Sequence, residues 1–351
     1  MKELVTQIQI ILADYHCDSG TGFSMTEKHI EEWVNQFQED DREFLLSELL
    51  HILNNGVYIT KEEAKVLLIE NLTNLAKRLK YNSLKELLKE SVFINTQKEG
   101  KSQDVLLNLI NPELQNITGL SINQCGSFVQ KNYIFIDDIL ASNKTILTQT
   151  KAWMEKDDNL KKFIANEFNF CIVLLCQHTW GADRMTWSLK QYFKNDNFTN
   201  PRKFIIESSY KIFDNKKTFN SPLNLTLPLK SNPNWNVYLA NIDNATQYED
   251  RAYREINQPK KEDYFSTPEN RNRFEGILLN KGIEIIGKFQ DESKKRNHRP
   301  LGKSNPSYKT FGTGTLFFTW RNISNTCPIV FWWDNPAHNW KGLFPLLNRG
   351  L

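Results

Sequence analysis

The stretch Tyr133–Thr145 constrains the fold of this chain more than any other. Tyr133-Ile-Phe-Ile136 is an apolar run without polar alternation, the pattern of a strand buried on both faces of a parallel sheet. It is predicted to end at two adjacent carboxylates, Asp137 and Asp138. A short loop follows, Ala141, Ser142 and Asn143, and a helix is expected from about Thr145. Ligands of parallel α/β sheets sit beyond the carboxyl ends of the strands, and the N-terminus of a helix holds anions. The stretch therefore predicts a site for a phosphate and a ribose.

The same strand, polar loop and helix order recurs on either side. Ser91–Asn95 leads through Thr96–Gln103 into the helical Asp104–Ile110, and Phe170–Cys176 leads into Gln177–Tyr192. Phe204–Glu207 is a fourth strand candidate. Strands alternating with helices predict an α/β domain with a mainly parallel sheet flanked by helices. Before it, residues 1–90 are expected to form a separate helical, winged-helix-like domain. Ser24 and Glu27 have capping-box spacing ahead of Ile30, Trp33, Val34 and Phe37. A second helix is expected over 41–53, a third from the Thr60–Glu63 box and a fourth from Ser83, with Val57–Ile59 as a small strand or wing. Residues 1–92 carry 10 basic and 16 acidic side chains, which leaves +9 on the remainder. That balance disfavours nucleic-acid binding by the N-terminal third, since phosphate contacts need a basic face, and favours a protein partner there.

The second domain, 91–351, is expected to contain an irregular insertion around 208–268, rich in Asn, Pro, Lys and Tyr. A long helix from Pro268 follows, with Phe274, Ile277, Leu278, Ile285, Ile286 and Phe289 as its apolar stripe. The basic patch 294–303 after it is most simply a solvated helix end, with a substrate-phosphate or nucleic-acid contact as the alternative. Gly314–Trp320 and Cys327–Trp333 are expected to pair as strands, which would turn one of Trp332 and Trp333 away from the core. The five cysteines form no C-x-x-C pair, the usage of a reducing compartment. No apolar run nears the ~20 residues of a membrane span, and the N-terminus lacks a signal-peptide pattern. The expectation is a cytoplasmic protein with no membrane partner.

A 5′-phosphate needs several converging N–H donors, which a tight turn at a helix N-terminus supplies. Small Ala141 permits close approach, Ser142 and Thr145 add hydroxyl donors, and Asn143 and Lys144 complete the loop. Asp137 and Asp138 can accept from ribose hydroxyls, directly or through magnesium and its water. Gly282–Lys288 has the spacing of a Walker A loop, but Phe289 stands where Ser or Thr belongs, within a helical pattern, so it is rejected. The six histidines form no H-x-x-x-H pair near paired cysteines, which argues against zinc.

Ile134–Thr145 resembles the ribose-phosphate signature of phosphoribosyltransferases: apolar residues, two acids, two apolar residues, a small residue, Ser or Thr, Gly, any residue, then Thr or Ser. It departs once, with Asn143 in the Gly position. Glu99-Gly100-Lys101-Ser102 stands where those enzymes hold a pyrophosphate loop. With Trp33–Phe37, Arg299–Gly302 and Asn322–Trp333, the chain looks like the phosphoribosyltransferase-like effectors of bacterial conflict (anti-phage defence) systems. The resemblance implies a type I phosphoribosyltransferase-like fold and a nucleotide or phosphoribosyl pyrophosphate-like ligand. It implies Asp137 and Asp138 as catalytic residues, possible indirect magnesium at that pair, and Ala141 to Thr145 with Gly100, Lys101 and Ser102 as substrate-binding residues. Activity would be transfer or hydrolysis of a phosphoribosyl or nucleotide N-glycosidic bond. A catalytically inactive nucleotide-sensing or partner-binding module of the same fold is the alternative, raised by Asn143. The N-terminal domain would contact a defence-system protein.

Overall fold

A computed structural model describes residues 1–142, 144–214, 223–242, 245–290 and 296–346. The chain divides into two compact units, Met1–Lys61 with Phe213–Leu351, and Glu62–Ile212. This division does not follow a boundary at residue 90. The first three helices share a unit with the C-terminal segment, while the next two fall with the sheet.

The first unit begins with α1 (Lys2–Ile11), α2 (Glu27–Val34), α3 (Glu39–Ile52) and the short strand β1 (Tyr58–Ile59). The N-cap of α2 is Thr26 rather than Ser24, its side chain accepting from the His29 amide. Gly56, at φ 78°, ends the α3 segment in the left-handed conformation that glycine adopts without steric cost.

The second unit contains α4 (Lys61–Arg78), α5 (Leu84–Lys89), β2 (Ser91–Ile94), α6 (Ser102–Thr118), β3 (Asn132–Leu140), α7 (Lys144–Met154), α8 (Asn159–Ile164), β4 (Asn169–His178), α9 (Thr179–Phe193) and β5 (Phe204–Ile212). Its four strands pair in parallel in the order β2-β3-β4-β5. The fold is the expected α/β one. One face of the sheet packs Phe135, Phe170, Ile172, Leu174 and Phe204 against Ile146 and Met154 of α7, Phe163 of α8, and Met185 and Leu189 of α9. At the other side Asn71 of α4 donates to the Leu174 carbonyl at 2.9 Å and to Ser209 at 2.8 Å. Burying this apolar surface is the main driving force for the layer.

The first unit resumes with α10 (Pro233–Ala240), α11 (Pro268–Gly287), β6 (Phe318–Thr319), β7 (Asn322–Ile323) and α12 (Ile329–Trp332). Residues 208–212, expected in the insertion, belong to β5. β1 pairs in parallel with β6, and β6 antiparallel with β7, so the expected wing is joined by the far end of the chain. Cys327–Trp333 is not a strand: Ile329–Trp332 is one helical turn, and Trp332 and Trp333 are both buried. Trp33 of α2 donates its indole N–H to the Val330 carbonyl at 3.0 Å and stacks on Phe331. Gly282 lies against Pro300, where a Cβ would come within 2.8 Å, so packing rather than phosphate binding explains that glycine.

The basic patch does not form a solvated helix end. α11 stops at Gly287, and Arg299 is buried, donating to the carbonyls of Arg296, His298 and Pro306. Residues 294 and 295 of the patch lie outside the described residues. No helix among the described residues is long and apolar enough to cross a membrane.

Candidate functional site

Three strands of the parallel sheet hand over to helices at one edge: β2 to α6, β3 to α7 and β4 to α9. Each helix brings to that edge a first turn whose N–H groups lack intrahelical partners. β3 continues through the acidic pair to Leu140 instead of ending at Ile136. Its later residues still have a neighbour, with Asp137 opposite Leu174, Ile139 opposite Cys176 and Leu140 opposite Gln177. β2 stops earlier, at Ile94 opposite Phe135. From Ile136 onward β3 therefore pairs with β4 alone in the sheet, and both carboxylates stand past the end of β2.

Asp137 is buried and Asp138 half-buried. Oδ1 of Asp137 accepts from the Asp138 amide at 3.0 Å, and Oδ1 of Asp138 from the Ile139 amide at 2.8 Å. Strand alternation directs Asp137 to the face of Tyr133 and Phe135 and Asp138 to the face of Ile134 and Ile136. The pair straddles the β3 backbone rather than forming one carboxylate patch. Ala141 is buried and Ser142 exposed, and α7 begins at Lys144, with Lys144 and Thr145 exposed at its first turn. Asn143 lies outside the described residues.

The sequence gives no warning of how closely α9 approaches this loop. A Cβ on Gly181 would lie 2.4 Å from the Ala141 carbonyl oxygen and 3.2 Å from Leu140 Cδ2. Glycine in the first turn of α9 is thus what lets the helix pass the loop. The only available signal was a glycine soon after a strand, which by itself has many explanations.

At the end of β2, Gly100 has the left-handed φ of +75°, and its amide donates to Asp104 Oδ2 at 2.9 Å. A carboxylate of the chain itself thus occupies one donor of the expected anion loop. Lys101 is exposed and is the N-cap of α6, and Ser102 Oγ is buried without a hydrogen-bond partner. Gln103, fully buried, was not singled out from the sequence. It accepts from the Thr96 amide and hydroxyl, both at 2.9 Å, and donates to the Ile94 carbonyl at 3.1 Å. It splices the strand exit to the first turn of α6. Gln177, opposite the last residue of β3, is also buried and leaves Oε1 without a partner. Unpartnered buried polar atoms cost about 1–3 kcal/mol each, so Ser102 Oγ and Gln177 Oε1, which have no partner among the described residues, are hydrogen-bonding groups open to a ligand.

Among the described residues no three His, Cys, Asp or Glu side chains cluster as metal ligands. Since the two carboxylates face opposite sides of β3, either one alone is compatible with magnesium, which can be held by a single carboxylate together with water and substrate phosphates.

The family model that matches this chain is PRTase-CE, over residues 30–346. The chain belongs to the PRTase-CE family. It is thus a phosphoribosyltransferase-like protein, and the matched span of this PRTase-CE chain includes both candidate loops and segments of both units. No curated protein and no solved structure matches it.

Proposed function

We propose that the carboxyl edge of the sheet binds a ligand containing ribose 5-phosphate, such as a nucleotide or phosphoribosyl pyrophosphate. The protein transfers or hydrolyses a phosphoribosyl or nucleotide N-glycosidic bond, as an effector of anti-phage defence. The observation that carries this reading is the run of β3 through Asp137 and Asp138 into a short loop and the first turn of α7, beyond the end of β2. Asp137 and Asp138 accept from the ribose hydroxyls, and Ala141, Ser142, Asn143, Lys144 and Thr145 cradle the 5′-phosphate. Lys101 and Ser102, with Gly100, receive a leaving pyrophosphate where there is one. Asp104 already holds the Gly100 amide, so the weight of that contact falls on Lys101 and the Ser102 hydroxyl. Bond cleavage at the anomeric carbon develops positive charge on the sugar, which a carboxylate pair stabilises electrostatically. Magnesium held indirectly, through water bonded to Asp137 or Asp138, would neutralise the phosphates.

Incubation with phosphoribosyl pyrophosphate or nucleotides and magnesium is expected to give turnover that Asp137→Asn abolishes. Absence of any such turnover would remove the enzymatic reading. Asn143, in the position where the signature carries Gly, favours one competing reading: a nucleotide sensor or partner-binding module without chemistry. In that case calorimetry would detect ligand binding, lost in Ser142→Trp, under conditions where no product forms.

A further inference from the structure

A cleft lies in the sheet unit along the edge strand β2 and the start of the loop that follows it. It is an open cleft of about 490 Å³ lined by Val92, Phe93 and Ile94 of β2, by residues 95–98, and by Tyr133, Trp153 and Lys156. Among the described residues, none of those proposed for the ribose-phosphate site lines it. Its volume falls in the range of small-molecule sites, roughly 300–1,000 Å³.

The lining has a definite chemistry. β2 is the edge strand and is shorter than β3, so the sheet is open there. Tyr133, in register with Val92, and Trp153 from the last turn of α7 form an aromatic wall, their ring centroids 4.9 Å apart. Both rings are half-buried. Asn95, Thr96 and Gln97 add amide and hydroxyl groups. Among the described residues, Lys98 and Lys156 are the charged residues of the lining, and no carboxylate lines it. An aromatic wall attracts a planar ring, edge amides read its heteroatoms, and two ammonium groups attract an anion.

We propose that this cleft is a second ligand site, for a nucleoside phosphate whose ring lies on the Tyr133–Trp153 wall and whose phosphate meets Lys98 and Lys156. The site is coupled to the loop ahead of α6. Thr96 and Gln97 form part of the cleft, and both are bonded to Gln103: its side chain accepts from Thr96, and its amide donates to Gln97 Oε1 at 3.2 Å. Gln97 also donates to Gln149 of α7 at 3.3 Å. A ligand that orders residues 95–98 therefore orders the first turn of α6, where Lys101 and Ser102 lie.

Calorimetry on the full-length protein tests this, with the four common ribonucleoside 5′-monophosphates, the free nucleosides and inorganic phosphate as probes. At least one monophosphate is expected to bind, tenfold or more tightly than its nucleoside or inorganic phosphate. The double variant Lys98→Glu/Lys156→Glu, at two exposed positions, is expected to weaken this binding at least tenfold, while Asp137→Asn removes only a separate event at the ribose-phosphate site and leaves binding at the cleft in place. Amide exchange over residues 95–103 is expected to slow on binding. The proposal is overturned if no monophosphate binds, if inorganic phosphate binds equally well, or if the lysine variant binds like wild type. It is equally overturned if Asp137→Asn abolishes the binding, which assigns the heat to the ribose-phosphate site, or if exchange over 95–103 is unchanged. Failure of the ribose-phosphate reading would leave the binding in place, so the two outcomes are separable.

Discussion

At the scale of single residues, Gly181 and His29 give the sharpest expectations. Any side chain at 181 must push α9 away from the Ala141 carbonyl, and overpacking of this kind costs about 1–3 kcal/mol. Gly181→Ala is expected to lower the melting temperature and to weaken ligand binding at the adjacent loop. Gly276→Ala, where the nearest atom to the new Cβ would be 3.8 Å away, serves as the control with little effect. His29 is buried and its Nε2 lies 2.9 Å from the Leu343 carbonyl. Burial lowers its pKa below the ordinary value, nearby Lys341 lowers it further, and the carbonyl contact partly offsets both. Near pH 6.5 the unfolded chain therefore binds more protons at this position than the folded one. Stability contributed here is present above the unfolded pKa of about 6.5 and falls as the pH drops below it. Urea unfolding at pH 5.0 and 7.5 should show that loss in wild type and a smaller one in His29→Gln.

At the scale of elements, α11 illustrates how irregular chain is held in place. Arg271, buried, donates to Glu262 at 2.5 Å, to Glu275 at 3.2 Å and to the Leu225 carbonyl at 3.1 Å. Arg254 pairs with Glu275 at 2.9 Å and donates to the Leu227 carbonyl at the same distance. Burial pushes the Glu275 pKa up while both arginines pull it down. Thus Arg271 and Glu275 of α11, with Arg254 and Glu262 of the segment before it, form a buried charge cluster in which the two arginines donate to backbone carbonyls and Glu275 accepts from the Leu227 amide. Removing one partner from a buried pair leaves an uncompensated charge, which costs about 3–5 kcal/mol. Arg271→Leu should therefore unfold at a markedly lower urea concentration than wild type, whereas loss of the exposed Lys261–Asp263 pair should cost under about 1 kcal/mol. The periodicity of α11 is plain in the sequence, and so are the strands β2 to β5. The partners of its charged residues are not, because Glu262 and the carbonyls of Leu225 and Leu227 come from a stretch without pattern.

At the scale of the whole molecule, the chain leaves its first unit at residue 61 and returns to it at 213. Tyr15 donates to the Pro345 carbonyl, Gln36 accepts from the Lys341 amide, and Trp33 is bonded to Val330. The N-terminal helices therefore complete the core of a C-terminal segment instead of standing alone. Deleting residues 1–61 is expected to remove amide-exchange protection across 223–346, while protection within β3 and β4 survives. Survival of protection in both regions would refute the shared core.

What the sequence determined by itself was local. Apolar runs without alternation marked the buried parallel strands, caps marked helix starts, and the acidic pair with its loop pointed to the phosphoribosyltransferase-like family. The tertiary structure decided what depends on distant contacts. It extended β3 beyond Asp138 because β4 continues to pair with it, and it turned Trp332 and Trp333 inward on a helical turn. It made Gly181 indispensable because another element passes 2.4 Å from where its side chain would be. Periodicity records which way a residue faces along its own element, and it carries no information about which neighbour arrives there.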